Sequence, residues 1–154
     1  MKITEFLDKR GIKMDVESSE KEDVLKELVD VLAEVKDVGD KKLILKALVD
    51  RENLGSTGIG QGIAIPHGKT DKVKEIVAVL GISRKGVNFD ALDGESVYLF
   101  FLLVAPKDNP GPHLKALAQI SRLLRDSFFC ELIKRCQTPE EVFELIRKEE
   151  EKTQ

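Results

Sequence analysis

With 154 residues, 42% of them apolar and 34% charged, the chain has the size and composition of one ordinary globular domain, which excludes fibrous and intrinsically disordered classes. Its 25 basic residues stand against 28 acidic ones, a net charge of -3. That leaves no basic field of the kind that holds a phosphate backbone, so nucleic acid is not an expected partner.

The opening MKITEFLDKRG is too polar for a secretory signal, and no apolar run approaches the ~20 residues of a membrane helix. The sequence therefore predicts a cytosolic protein that does not span a membrane, built as a single domain over 1–154. A short strand is expected near Lys13 to Glu17. Ser19 followed by Glu22 has the spacing of a capping box, and Val24, Leu25, Leu28, Val31, Leu32 and Val35 recur at helical intervals. A first helix is predicted from about Glu20 to Lys36. Asp40 can cap a second, which carries Leu43, Ile44, Ala47 and Leu48 and runs out near Arg51 and Glu52. The segment GSTGIGQG cannot continue it.

Three apolar runs follow: Ile63 to Ile65, Ile76 to Ile82 and Val97 to Val104. The last two are continuous rather than alternating, as in strands covered on both faces, so they are placed centrally in a sheet sandwiched by helices. The link RKGVNFDALDGES is rich in turn residues, with Asp93 and Gly94 marking a tight turn. After KDNPGP, His113 opens a third helix with Leu114, Leu117, Ile120 and Leu124. Phe128, Phe129, Leu132 and Ile133 predict a fourth. Thr138, Pro139 and Glu141 start the last as its cap, first and third residues. Cys130 and Cys136, six apart in helical pattern, fit neither CxxC nor common zinc spacing and read as buried thiols. The order of helices, strands and helices gives an α/β (α+β) layered fold.

The glycines invite two nucleotide motifs, and neither holds. GxGxxG from Gly58 would need glycine where Ile63 stands, and the loop follows a helix instead of a strand. GIAIPHGKT has five residues between its glycines where a phosphate-binding GxxxxGK[ST] loop has four. No HExxH or GxSxG motif supports a metal-dependent or serine hydrolase, and nothing calls for a metal or a cofactor.

What remains is a pair of histidines. Pro66 fixes φ and cannot donate to a ladder, so the strand IAI is expected to end there and present His67 at its tip, with Gly68 leaving room for a partner. His113 follows Pro112 at a helix start, where free N–H groups and the helix dipole favour an anion. If the two strand ends are adjacent, the imidazoles face each other across an anion-sized site. On residues alone a solvated helix-start histidine explains His113 equally well, and Arg51 and Lys69 can be anion ligands or surface charge.

The wording around these residues resembles enzyme IIA of the fructose–mannitol type in the bacterial phosphoenolpyruvate-dependent sugar phosphotransferase system, including its nitrogen-regulatory relatives. The likeness runs from Arg51 and Glu52 through Gly55-Ser56-Thr57-Gly58-Ile59-Gly60 to Gly62-Ile63-Ala64-Ile65-Pro66-His67-Gly68. It resumes at Val87 to Gly94, Leu99 to Pro106, and His113, Leu114 and Leu117, and covers essentially the whole chain.

The resemblance implies a mixed β-sheet flanked by helices, and a histidine that takes a phosphoryl group from the carrier protein HPr and passes it to an enzyme IIB. The acceptor falls on His67, the second active-site histidine on His113 and the active-site arginine on Arg51. Ser56, Thr57 and Gly68 are expected to help hold the anion. Many relatives carry Asn where this chain has Gln61, a departure that touches only local loop geometry. Neither cysteine lies in an enzyme-IIB-like loop, so the acceptor is expected on another chain. In the regulatory alternative, phosphorylated His67 instead changes affinity for non-transport targets.

Overall fold

The two continuous apolar runs form the centre of a six-stranded mixed sheet. The computed structural model describes residues 1–152. A 3-10 turn at Ile3–Glu5 leads into β1 (Leu7–Lys13), followed by α1 (Lys21–Val35) and α2 (Lys41–Asn53). Three short strands, β2 (Gly58–Gly60), β3 (Ile63–Ala64) and β4 (His67–Thr70), precede the long β5 (Val77–Val87) and β6 (Val97–Pro106). Helices α3 (Pro110–Leu124), α4 (Ser127–Arg135) and α5 (Pro139–Lys152) complete the chain. The sheet runs β1-β5-β6-β3-β2, with β4 also on β6. β5 and β6 are antiparallel, while β1 lies parallel to β5 and both β3 and β4 lie parallel to β6.

Successive residues of a strand point to opposite faces, and both faces here are dry. Leu80, Ile82, Leu99, Phe101 and Leu103 pack with Ile120, Leu124, Phe129, Ile133 and Ile146 of the three C-terminal helices. Val77, Val79, Phe100, Leu102 and Val104 pack with Leu25, Leu28, Leu32, Ile44 and Leu48 of α1 and α2. Each such side chain contributes ~1.5–3 kcal/mol on burial, which is why continuous apolar runs are needed at the sheet's centre. Cys130 and Cys136 are buried free thiols. No helix among the described residues is long and apolar enough to cross a membrane.

Several expected details differ. The first strand is Leu7–Lys13, not Lys13 to Glu17. Its charged residues are those of an exposed edge strand, and the later stretch keeps only a bond from Val16 N–H to the Ile82 carbonyl (2.8 Å). Ser19 does not cap α1; the N-cap is Glu20, with no side-chain cap. The chain entry is tied instead by Glu27, whose carboxylate accepts from Glu17 N–H, Ser18 N–H and the Ser18 hydroxyl (3.1, 3.1 and 2.7 Å). Asp40 caps α2 as expected, accepting from Lys42 N–H (2.9 Å). The segments Gly58–Gly60 and His67–Thr70, where no strand was expected, are strands because β3 and β6 offer them partners.

Candidate active site

β3 and β4 are one strand interrupted. Both run along the same edge of β6, Ala64 opposite Phe100 and His67 opposite Leu103. Between them the Pro66 carbonyl accepts from Leu103 N–H (2.9 Å), while the peptide groups of Ile65 alternate away from β6 towards the β2 side. A proline cannot donate, so the interruption falls where the sequence forces it. Both of these groups of Ile65 have partners. Its N–H donates to the Thr57 carbonyl (3.0 Å), and its carbonyl accepts from His67 Nδ1 (2.9 Å). His67 therefore does not stand at the tip of a finished strand; it opens the next one.

A carbonyl only accepts, so the bond to Ile65 places the proton on Nδ1 and leaves the Nε2 lone pair of the neutral ring available. His67 is half-buried, and its pKa is lowered chiefly by that burial. The hydrogen bond to Ile65 opposes the shift, Arg51 and Lys69 add to it, and Glu52 offsets them.

His113 comes from the other side. Its helix begins at Pro110, so His113 is the fourth helical residue, not the first, and Pro110 and Pro112 lack two of the N–H groups an anion would have met. It is not a solvated side chain either. It is 3% exposed, its Nδ1 is buried with no hydrogen-bond partner among the described residues, and its ring centroid lies 5.6 Å from that of His67 with the planes at 55°. Burial, the His67 ring and Lys69 together push its pKa down to about 4. Lys69, two residues beyond His67, shares its face of β4.

The remaining expected residues divide. Arg51, in the last turn of α2, is half-buried and Nη1 donates to the Gly55 carbonyl (2.9 Å). Ser56 and Thr57 have their hydroxyls committed within the loop: Ser56 donates to the Phe89 carbonyl (2.8 Å) and accepts from Gly58 N–H (3.0 Å), and Thr57 donates to Glu52. Gly68 does not clear an approach; a Cβ there would sit 3.4 Å from the Ala47 carbonyl carbon of α2. Gln61 takes φ 59 between left-handed Gly60 and Gly62, with its N–H on Asp93 Oδ2 (2.9 Å).

Glu52 is the residue that sequence reasoning passed over. It is 5% exposed, accepts from both Thr57 N–H and Thr57 Oγ1, and pairs with Lys21 of α1 at 2.8 Å. Its signal was present in the sequence, an acidic side chain in the last turn of a helix where the macrodipole disfavours it. As a whole, two neutral imidazoles beside Arg51 and Lys69 suit a nucleophile that receives an anionic group.

The family model described as "Phosphoenolpyruvate-dependent sugar phosphotransferase system, EIIA 2" matches residues 5–149. The chain is 44% identical over 124 residues to the PTS system fructose-specific EIIABC component of Bacillus subtilis (strain 168), a match over 80% of this chain but only 20% of that longer protein. It is 33% identical over 146 residues to a nitrogen regulatory protein of Bradyrhizobium diazoefficiens, 95% of each. Among solved structures, nitrogen regulatory protein IIA-Ntr from Neisseria meningitidis matches with a TM-score of 0.87 at 33% identity, over 94% of this chain and 98% of that one. The complex of enzyme IIAMTL and phosphorylated enzyme IIBMTL from Escherichia coli shares the fold, with a TM-score of 0.76 at 22% identity over 90% and 95%.

Proposed function

The chain belongs to the EIIA 2 family of the phosphoenolpyruvate-dependent sugar phosphotransferase system, and we propose that it is a phosphocarrier whose His67 accepts a phosphoryl group from phosphorylated HPr and hands it to an enzyme IIB in fructose- or mannitol-type sugar uptake. The observation that carries this reading is the bond from His67 Nδ1 to the Ile65 carbonyl, which fixes the tautomer with Nε2 as the nucleophile.

In the transfer, the Nε2 lone pair forms the bond to phosphorus as the bond to the donor breaks, its electron pair staying with the donor. The imidazole gains positive character while keeping its Nδ1 proton, and the Ile65 carbonyl is placed to stabilise it. The equatorial oxygens bring negative charge, which Arg51, Lys69 and His113 are positioned to offset. His113 enters neutral; beside a phosphoryl group its depressed pKa is relieved, so it takes up a proton. Leu54, Leu92 and Leu114, exposed next to Arg51, on the loop bonded to Gly58, and after His113, supply apolar surface for donor and acceptor proteins that dock in turn.

A second reading, regulation of non-transport targets by the phosphorylation state of His67, is favoured by the end-to-end match with a nitrogen regulatory protein. One experiment separates the readings: incubation with phosphoenolpyruvate, enzyme I and HPr, then a chase with fructose- and mannitol-type IIB proteins. Label on His67 that discharges to one IIB supports transport. Label that no IIB removes supports regulation. Absence of label overturns both.

A further inference from the structure

Glu52 stands at the head of a chain of hydrogen bonds that ends on His67. Its carboxylate accepts from Thr57 N–H (3.0 Å) and from the Thr57 hydroxyl. The carbonyl of the same Thr57 accepts from Ile65 N–H (3.0 Å), and the carbonyl of Ile65 accepts from His67 Nδ1 (2.9 Å). The Ile65 groups in this chain alternate away from β6, and Ile65 N–H extends the register of β2 and β3 by one residue, beside the break that Pro66 makes on β6.

The head of the chain is anchored from outside the loop. Lys21 of α1 pairs with Glu52 at 2.8 Å, lies 3.7 Å from Asp90, and sits over the Phe89 ring at 4.9 Å. Phe89 is itself held edge-on by Phe100 of β6 (5.2 Å), and its carbonyl accepts from Ser56 (2.8 Å). The loop between α2 and β2 is thus clamped to α1, to the 88–92 segment and to the sheet through one buried carboxylate.

Such a group is expensive. A carboxylate in the last turn of a helix works against the dipole, and burial removes its water. A core that needed only stability could use an apolar pair here. What a carboxylate gives instead is two acceptor atoms at a fixed place, which set the plane of the Thr57 peptide and so the direction of its carbonyl.

We propose that Glu52, held by Lys21, is a positioning residue for the phosphoacceptor: through Thr57 and Ile65 it fixes the orientation and the Nδ1-protonated tautomer of His67. This rests on the reading of His67 as the phosphoryl acceptor for its consequence in catalysis, though not for its consequence in the free protein. Arg51, adjacent in sequence and tied to Gly55 in the same turn, is set by the same clamp.

The test is a pair of variants, Glu52→Gln and Thr57→Val, with Thr57→Ser as the conservative control. In each folded variant, the ¹⁵N shifts of the His67 ring report the tautomer without any donor present, and steady-state phosphorylation by HPr reports rate and apparent affinity separately. The expected result is a mixed tautomer and a fall in kcat of at least about tenfold with KM for HPr unchanged, since donor docking does not involve the buried Glu52. Thr57→Ser restores parent behaviour. A folded Glu52→Gln protein with the parent tautomer and parent kcat overturns the proposal. If that variant does not fold, Thr57→Val, which removes the hydroxyl link and keeps Thr57 N–H on Glu52, is measured beside Lys21→Met, which removes the ion pair that holds the carboxylate in place. Parent-like tautomer and kcat in both overturn the proposal. If HPr fails to label the parent protein, the acceptor reading falls, and the tautomer in the variants still decides whether Glu52 positions the ring.

Discussion

His67 and His113 approach to 5.6 Å between ring centroids, with Lys69 acting on both, so the folded protein holds two imidazoles where a proton on either is disfavoured. The consequence is a pH dependence of stability with a definite sign. In the unfolded chain an imidazole takes its proton near 6.5, whereas His113 in the folded protein resists it until about 4. Between those values the unfolded state binds more protons, so stability is complete above about 6.5 and is lost as pH falls towards 4. The shift is worth roughly 3 kcal/mol from His113 alone, and His67 acts in the same direction. Urea unfolding across this window, paired with NMR titration of the two rings, checks it. A His113 ring that titrates near its ordinary value removes the prediction.

The buried Nδ1 of His113, without a hydrogen-bond partner among the described residues, is a cost of the order of 1–3 kcal/mol that a purely structural residue would have no reason to carry. His113→Leu is therefore expected to be no less stable than the parent, and up to about 1 kcal/mol more stable, while phosphoryl transfer from HPr slows by about 10²-fold. Thermal unfolding and the initial labelling rate measure the two effects on the same sample. A parent-like labelling rate would take His113 out of the mechanism.

The layers of the fold were legible because they rest on long-range repetition: helical periodicity in α1, and unbroken apolar runs in β5 and β6 that demand cover on both faces. The short strands were not. HGKT and GIG have little intrinsic preference for extended structure, and it is pairing with β6 and β3 that makes them strands. The adjacency of the histidines could be framed from the sequence as a condition, but its fulfilment depends on register along β6. Glu52 was passed over for another reason, although its place against the helix dipole was a signal. An acidic residue near a helix end looks like surface until the loop that follows is seen to fold back over it.

Gln61 lies at φ 59, in the left-handed region where a side chain other than Gly or Asn is strained. Gln61→Asn keeps the N–H bond to Asp93 and is expected to stabilise by about 0.5–1 kcal/mol. The neighbouring Gly60→Ala meets both a left-handed φ of +100 and Asp93 Oδ2 at 3.1 Å, so it should destabilise by about 1–2 kcal/mol. Chemical denaturation of both variants checks the contrast; equal midpoints would mean that the turn relaxes at no cost.

Gly68 separates two accounts of why a glycine follows the acceptor histidine. If its role were to let a partner reach His67, any side chain there would obstruct transfer. The geometry says otherwise: His67 shares the face of Leu103 and the C-terminal helices, whereas Gly68 pairs with Val104 and faces α2, where an added Cβ would rest at ordinary contact, 3.4–3.5 Å, on Ala47. Its φ is not left-handed, so alanine imposes no backbone strain, and the loss of glycine's freedom in the unfolded chain favours the folded state. Gly68→Ala is therefore expected to change stability by less than about 1 kcal/mol and to leave labelling by HPr within about twofold of the parent. A folded Gly68→Ala protein that labels tenfold more slowly would show that the path to His67 crosses the α2 side of β4. In that case the partner would have to approach over Ala47 instead of over Leu114 and the mouth between the two histidines.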